Sequence, residues 1–218
     1  MASGGYELRL IEDSITSGGE LVLPDDGINR VVYVVHGAVS IEGHDLGDDQ
    51  AWQGRGAARM TGGSSGAALW RWELAPTASA AALGAAAAAA SSVKLRCGLA
   101  WPIAESLLMR CDSVAFPPGG CAYLHTHQGP GIRCLIDGGI RIDTGGTSHC
   151  YAPGGAWFEA GPEPVFAQAA DRPTRFMRVM VLPAQLLGQS SIAYVNAEDR
   201  AKPKSQRYKM YVDAAVTV

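Results

Sequence analysis

The sequence lacks the signals that mark several large functional classes. Among its 218 residues, 21 Asp and Glu outnumber 18 Lys and Arg, so no basic surplus is present for nucleic acid or an anionic membrane surface. The longest run of low polarity, residues 78–90, is mostly alanine and too short and weakly apolar to span a bilayer. A Walker loop, a Rossmann glycine set, zinc-finger spacing and a Ser/His/Asp order are also missing. A small-molecule ligand is therefore the expected partner, with no nucleic acid and no membrane.

Cysteine pairing is also poorly supported. The chain has five cysteines, an odd number, and none of them is in C-x-x-C spacing. The first residues are polar and uncharged, unlike a signal peptide. We therefore expect free thiols and a cytoplasmic location.

Helical periodicity is scarce, and short strands with Gly/Pro turns take its place. Residues 31–35 form a β-branched apolar run, and residues 68–74 alternate between apolar and polar side chains. Only the alanine-rich stretch over 76–92 breaks this pattern, which indicates a linker with partial helix at most. The pattern predicts an all-β protein.

The two halves of the chain repeat one another. Residues 33–41 and 134–142 each read as an apolar strand, a glycine turn and a second strand that ends in isoleucine. The dipeptide Ala-Trp recurs at 51–52 and 156–157, and each half closes on a long apolar strand that contains an arginine, Arg71 or Arg178. Self-similarity at about 100 residues predicts a duplicated domain.

Chemistry-bearing residues concentrate between 119 and 133. His125 and His127 are separated by one residue, so in a strand both imidazoles project from the same face. A Gly-Pro-Gly loop follows, and then Arg133 enters an apolar strand. Two imidazoles on one face are the simplest way to offer two ligands to one metal ion.

The second half resembles a cupin. Gly119-Gly120, the His-x-His pair and Gly138 match the first cupin motif, and residues 151–165 match the second. The whole chain resembles a bicupin of the conserved-barrel group over about residues 20–182, most clearly over 112–182. The resemblance implies two tandem jelly-roll β-barrels, of which the N-terminal one is degenerate because it has no His-x-His.

Two of the four ligands usual in cupins are missing. The resemblance places the usual glutamate at Pro130 or Gly131 and the third histidine at Val165. Alternation from Trp157 puts Glu159 on the same face, where it could supply the carboxylate. His125, His127 and Glu159 would then bind Fe, Mn, Ni or Zn. A barrel without metal remains the alternative.

Arg133 is the most unusual residue of this region, because a buried guanidinium must be paired. It would either form a structural ion pair with Glu159 or hold an anionic ligand, and these two roles compete. Strand parity places Tyr123 with the histidines and leaves Trp157 as a core or pocket residue. We predict Glu159 and Arg133 as catalytic residues, and Arg133, Tyr123 and Trp157 as substrate-binding residues.

Four segments are predicted: a degenerate barrel over 1–75, a linker over 76–92, a barrel with the pocket over 93–188 and a solvated C-terminal arm over 189–218. Three functions remain open. The first is a metal-dependent dioxygenase, isomerase or lyase, and the second is a metal-free protein that binds or senses a small molecule. The third is a structural duplicate that mainly dimerises, and a homodimer is what the resemblance implies.

Overall fold

A computed structural model describes residues 5–86, 88–100 and 106–218. Contacts divide the chain into two compact units, Met1–Ile103 with Val218, and Ala104–Thr217. The described residues are almost entirely β-structure, as the sequence predicts, with one short α-helix. No helix among them has the length and apolar character needed to cross a bilayer.

The first unit is built from eight strands: β1 (Tyr6–Ile15), β2 (Glu20–Leu23), β3 (Asn29–Ile41), β4 (His44–Gly47), β5 (Ala51–Arg55), β6 (Ala58–Pro76), β7 (Ala85–Ala86) and β8 (Ala89–Gly98). They form one connected sheet in the order β4-β3-β6-β1-β8-β7, with β2 joined to β6 and β5 joined to β3. Every described pairing is antiparallel.

The second unit is built from ten strands and two short helical turns: β9 (Ser106–Phe116), β10 (Cys121–His127), β11 (Gly131–Asp137), β12 (Ile140–Thr144), β13 (Thr147–Tyr151), β14 (Ala156–Glu159), β15 (Val165–Ala169), β16 (Thr174–Pro183), a 3-10 turn (Ala184–Leu186), β17 (Ile192–Tyr194), α1 (Ala197–Ala201) and β18 (Arg207–Thr217). Two five-stranded antiparallel sheets result, β13-β12-β15-β10-β17 and β14-β11-β16-β9-β18. Their apolar faces meet around Phe116, Leu135, Trp157 and Phe176 from one sheet and Ile142 from the other. Facing sheets with this core make a jelly-roll sandwich.

The strand register confirms the internal repeat. In the first unit Val32 lies opposite Trp52 and Arg71, and in the second unit Arg133 lies opposite Trp157 and Arg178. Two residues beyond each tryptophan, Gly54 in the first unit occupies the place that Glu159 has in the second unit. The first barrel therefore lacks both the histidine pair and a carboxylate at the position of Glu159, which agrees with a degenerate N-terminal barrel.

The predicted turn at His36-Gly37 is instead a bulge inside the continuous strand β3. Gly37 has φ +92°, and a Cβ there would lie 2.2 Å from the Gly66 carbonyl oxygen. Glycine is required because the bulge needs both a left-handed backbone and close approach of β6. The equivalent Gly138, with φ +84°, does form the predicted turn between β11 and β12.

A buried ionic network fills one end of the first barrel. Arg71 bonds both carboxylate oxygens of Asp13, at 2.8 and 3.1 Å. Arg30 Nε lies 3.0 Å from Glu73 Oε1, and Arg71 and Arg9 also contact Glu73. All of these side chains are fully buried. Mutual pairing is what makes three buried guanidinium groups tolerable in an apolar barrel.

The linker and arm boundaries are wrong. Part of the alanine-rich stretch forms β8, which pairs with β1 along its length, so residues up to 98 belong to the first barrel. A β-strand is favoured over a helix there because β8 can pair with the free edge of β1, whereas a helix of alanines would bury little apolar area. The segment 189–218 is likewise not a solvated arm. It supplies β17 to one sheet and β18 to the other.

Replacement of Asp13 by alanine tests the buried network. The variant leaves Arg71 with only Glu73, which Arg9 and Arg30 also contact, so the buried network gains an excess positive charge. We expect the free energy of unfolding to fall by about 3 kcal/mol. Glu20→Ala is the matched control, because it removes an exposed pair with Arg59 and should cost no more than about 1 kcal/mol. Urea unfolding followed by tryptophan fluorescence gives both values, and equal losses would contradict a stabilising role for the network.

Candidate functional site

A row of polar side chains crosses the inner face of the β14-β11-β16-β9-β18 sheet. Trp157, Arg133, Arg178 and Asp112 lie directly opposite one another on four successive strands. Directly opposite residues share a face, and Trp157 belongs to the core, so the whole row points inward. Two arginines are thereby side by side in the barrel.

A second row lies two residues further along the same strands. It consists of Glu159, Gly131, Met180, Arg110 and Asp213. The two rows together bring three arginines and three carboxylates to one inner face. The sheet register alone fixes this arrangement.

Each arginine of the two rows has its own carboxylate. Arg133 Nη2 lies 2.7 Å from Glu159 Oε2. Arg178 holds Asp112 through Nε at 2.6 Å and Nη2 at 2.9 Å. The third pair, between Arg110 and Asp213, has contacts of 2.9 and 3.2 Å. Of the two roles that the sequence leaves open for Arg133, the structure therefore shows the ion pair with Glu159.

The histidine pair comes from the facing sheet. His125 and His127 are both buried, and their Nε2 atoms are 3.2 Å apart. His127 Nε2 is also 3.2 Å from Glu159 Oε2. The Nδ1 of His125 lies 2.7 Å from the carbonyl oxygen of Tyr123, which fixes Nδ1 as the donor and leaves the lone pair on Nε2.

Four of the predicted site residues meet at one place in the second unit. His125, His127, Arg133 and Glu159 line one cavity of about 20 Å³, which has room for a single water or ion. The rest of the wall is mostly apolar, from Val114, Phe116, Ile142, Val165 and Phe176. These four side chains therefore lie together in the fold, and their metal-binding and catalytic roles stay predictions.

Tyr123 lies elsewhere. The pairing of β10 with β15 shifts register between Ala122 and His125, so strand parity changes within β10. Ala122 rather than Tyr123 faces the cavity. The Tyr123 ring instead lies under the ammonium groups of Lys202 and Lys204, at 5.0 and 5.4 Å. The predicted pocket role for Tyr123 assumed an uninterrupted strand.

Trp157 does not line the cavity either. Its ring stacks on Tyr151 at 4.8 Å and meets Phe176 edge-on at 5.2 Å. Its Nε1 donates to Glu159 Oε1 at 2.9 Å. Trp157 is thus a positioning residue for Glu159, which is held on one oxygen by Trp157 and on the other by Arg133.

Burial controls the charge states of these groups. Burial lowers the pKa of His127 to about 3 against the opposing effect of Glu159, and burial lowers the pKa of His125 as well. Burial would raise the pKa of Glu159, but Arg133 and His127 hold it well below its usual range. The pKa of Arg133 falls to about 10, because of burial and the neighbouring Arg178. At neutral pH the site therefore holds two neutral histidines and one ion pair.

Gly131 explains why the arginine fits. Arg133 Nη1 donates to the Gly131 carbonyl oxygen at 2.6 Å. A Cβ at Gly131 would lie 2.7 Å from the Val179 oxygen, 2.9 Å from Met180 Cγ and 3.1 Å from Arg133 Nη1. No larger side chain can occupy this position beside the guanidinium. The carboxylate is supplied instead by Glu159, directly opposite Gly131 on β14.

The cupin resemblance implies a divalent ion, and two imidazoles and one carboxylate are the donors that this cavity offers. Among the described residues, no group of three or more histidine, cysteine or acidic side chains is placed so that it could hold a metal ion without rearrangement. Two ligand atoms that each lie about 2.0–2.2 Å from one ion are about 3.0–3.5 Å apart, and His127 Nε2 has this spacing to both His125 Nε2 and Glu159 Oε2. Glu159 Oε2 and Arg133 Nη2 have no hydrogen-bond partner among the described residues, so their contact is an ion pair and leaves a carboxylate lone pair for an ion. His127 Nδ1 is also without a partner, so the ring lacks the second hydrogen bond that usually orients a ligating histidine. The donor chemistry fits, with the Arg133 guanidinium as a competitor for Glu159.

A larger cavity of about 460 Å³ adjoins the histidine site, and the sequence did not predict it. Arg178, Ile192 and Tyr208 line both cavities. Other walls come from the segment 188–194 and from β18. Tyr208 and Met210 alternate with charged residues, a pattern that favours a strand in this tail. The many lysines and arginines around them favour a solvated segment instead.

Solved structures with a similar fold are cupins. An oxalate decarboxylase from Lactobacillus farciminis, in a formate complex, superposes with a TM-score of 0.67 at 11% identity, covering 92% of this chain and 82% of that one. A Bacillus subtilis oxalate decarboxylase variant gives 0.63 at 12% identity over 93% and 78%. A cupin 2 conserved barrel domain protein from Leptotrichia buccalis gives 0.50 at 12% identity over 83% and 86%. No protein-family model and no curated protein matches the sequence.

The chain therefore has the cupin fold. The two oxalate decarboxylases each cover more than nine-tenths of it, including both units. This agrees with the bicupin resemblance read from the two motifs. At about 12% identity the likeness defines the fold and leaves the reaction to the site itself.

Protonation of His127 should make stability depend on pH. Its pKa is about 3 in the folded protein and about 6.5 in an unfolded chain. Between these values the unfolded state binds a proton that the folded state does not, so the free energy of unfolding decreases as the pH falls. A His127→Gln variant should lose less stability than the wild type between about pH 7 and about pH 5.

Urea unfolding in the presence of EDTA measures this difference without interference from metal. His149→Gln is the matched control, because His149 is exposed and should leave the pH dependence unchanged. Identical pH dependence in the wild type and His127→Gln would show that His127 is not held neutral by burial.

Proposed function

We propose that the second barrel is a divalent-metal-dependent enzyme that acts on a small anionic molecule, in the dioxygenase, isomerase or lyase class. The observation that carries this proposal is the pair of 3.2 Å distances that meet at His127 Nε2. Support also comes from the fold, since the Bacillus subtilis oxalate decarboxylase contains Mn(II) centres. Fe, Mn, Ni and Zn all accept a set of two imidazoles and one carboxylate.

His125, His127 and Glu159 would hold the ion. The Tyr123 carbonyl keeps the His125 lone pair on Nε2, and neutral imidazole is the form that ligates metal. Trp157 and Arg133 fix the orientation of the Glu159 carboxylate, as outer-shell partners commonly do for ligands. A bound ion would act as a Lewis acid toward a substrate oxygen.

Charge balance favours an anionic substrate. Arg133 already neutralises Glu159, and Asp112 already neutralises Arg178. A divalent ion therefore adds two positive charges to a buried site, and such charges are costly unless they are paired. A substrate carboxylate at the ion offsets them. Arg133 then acts as a positioning residue for Glu159 more than as a direct anchor for the substrate.

A metal-free ligand-binding protein is the second candidate. The 2.7 Å contact between Arg133 Nη2 and Glu159 Oε2 favours it, because it satisfies both charges without an ion. The two candidates differ in one measurable property, the metal content of the protein.

Metal analysis of the purified protein decides between them. We expect about one divalent ion per chain after loading with Mn(II), Fe(II), Ni(II) or Zn(II) followed by desalting. His125→Ala and His127→Ala should abolish retention, whereas His149→Ala, at an exposed position, should retain the ion. Loading should also raise the melting temperature of the wild type and not of the two ligand variants. Absence of retained ion with all four metals would reject the enzyme in favour of the metal-free protein.

A further inference from the structure

The histidine cavity is shielded from solvent on almost every side. All but two of the described residues that line it are buried, and Arg178 is the most exposed of these at 8%. The two exceptions are Ile192, which is partly exposed, and Tyr208, which is 50% exposed. Solvent therefore comes closest to the histidines at Ile192 and Tyr208.

These two residues lie on the outermost strands of the two facing sheets. Ile192 belongs to β17 and lies directly opposite His127 on β10. Tyr208 belongs to β18 and lies directly opposite Val114, a cavity residue of β9. Directly opposite residues share a face, so both side chains are on the inner faces of their sheets. The strand register thus puts the least shielded side of the cavity at the last strand of each sheet.

The same two residues also border the larger cavity of about 460 Å³. Together with Arg178 they line both cavities, so these three side chains form the partition between them. The larger cavity opens to solvent, and its volume is typical of a small-molecule site. A molecule that crosses the partition therefore reaches the histidines from the larger cavity.

Tyr208 is the part of the partition that moves at least cost. Arg178 is buried and holds Asp112 through two bonds, of 2.6 and 2.9 Å. Ile192 is branched at Cβ, which restricts its rotation. The half-exposed Tyr208 ring lies 5.6 Å from the Arg178 guanidinium, and its hydroxyl accepts a hydrogen bond from Gln206 Nε2 at 3.2 Å. Contacts of this kind are weak at an exposed side chain, so the ring can turn toward solvent.

We infer that Ile192 and Tyr208 form the entrance to the histidine cavity, and that displacement of the Tyr208 ring opens it. The entrance controls which ions and small molecules reach His125 and His127. That a metal ion and an anionic substrate pass through it rests on the proposed function, whereas access to the two histidines does not. Tyr208 is an access-determining residue and takes no part in holding the ion.

Carbethoxylation by diethyl pyrocarbonate measures this access without metal. The reagent acylates neutral imidazole, and both site histidines are neutral at neutral pH because burial lowers the pKa of each. Tryptic peptide 111–133 contains His125 and His127 and no other histidine, so mass spectrometry of the treated full-length protein gives the rate at the site. EDTA keeps the protein free of metal, and the exposed His149 is the internal reference. The site histidines of the wild type should react more slowly than His149.

Three variants test the entrance. Tyr208→Ala removes the ring and both of its contacts, so the rate at the site histidines should rise about tenfold. Met210→Ala is the matched control: Met210 is 49% exposed on the same strand and lines the larger cavity but not the histidine cavity, so the rate should not change. Ile192→Trp narrows the entrance and should lower the rate. Loss of structure only speeds the reaction, so a lower rate does not arise from unfolding.

Equal rates at the site histidines in Tyr208→Ala and Met210→Ala overturn the inference. An Ile192→Trp rate no lower than that of the wild type also overturns it. Thermal melting shows whether each variant is folded, and if Tyr208→Ala is not, the Ile192→Trp rate decides.

Metal-loaded protein separates this inference from the proposed function. Where the ion is retained, EDTA should remove it faster from Tyr208→Ala and more slowly from Ile192→Trp, with Met210→Ala like the wild type. If the wild type retains no ion but carbethoxylation follows the expected order, the entrance stands and the enzyme is rejected. If the ion is retained and neither rate responds to the variants, the entrance alone is overturned.

Discussion

The ion pair between Arg133 and Glu159 is the interaction on which the second barrel's interior depends. Both groups are buried, so neither charge is tolerable without the other. The pair sets the orientation of the Glu159 carboxylate and keeps that anion next to His127. Because the two charges of the pair cancel, the charge of a bound metal ion must be balanced by the ligand. The chemistry proposed for the site is therefore constrained by a contact that takes no part in the reaction itself.

The fold and the composition of the site were readable from the sequence for physical reasons. Strand alternation, Gly/Pro turns and the Ala-Trp repeat are local signals, and they locate β5 and β14 at equivalent places. His125, His127 and Glu159 also followed from alternation along two strands. The predicted pocket position of Tyr123 was wrong because one register shift in β10 reverses which residues face the cavity. No residue pattern in β10 indicates that shift.

Long-range pairing was the part that the sequence could not supply. Whether Arg133 binds Glu159 or a ligand depends on the register between β11 and β14, which are separated by two further strands along the chain. The ion pair of Arg178 with Asp112 depends in the same way on the pairing of β9 with β16, and that of Arg110 with Asp213 depends on the pairing of β9 with β18. The charged residues of the C-terminal tail predicted a solvated arm. In the structure β18 pairs with β9, and its alternate residues line the larger cavity.

Gly131 and Arg133 have a consequence for how such a barrel can change over generations. A glutamate at position 131 would have to occupy space that the Arg133 guanidinium and the β16 backbone already fill. Return to the usual cupin ligand at that position therefore requires the arginine to be lost first, and that loss leaves Glu159 as an unpaired buried charge. Each single step is unfavourable, so the pair forms an epistatic barrier, and descendants of this barrel are expected to keep the glycine, the arginine and the glutamate together or to lose all three.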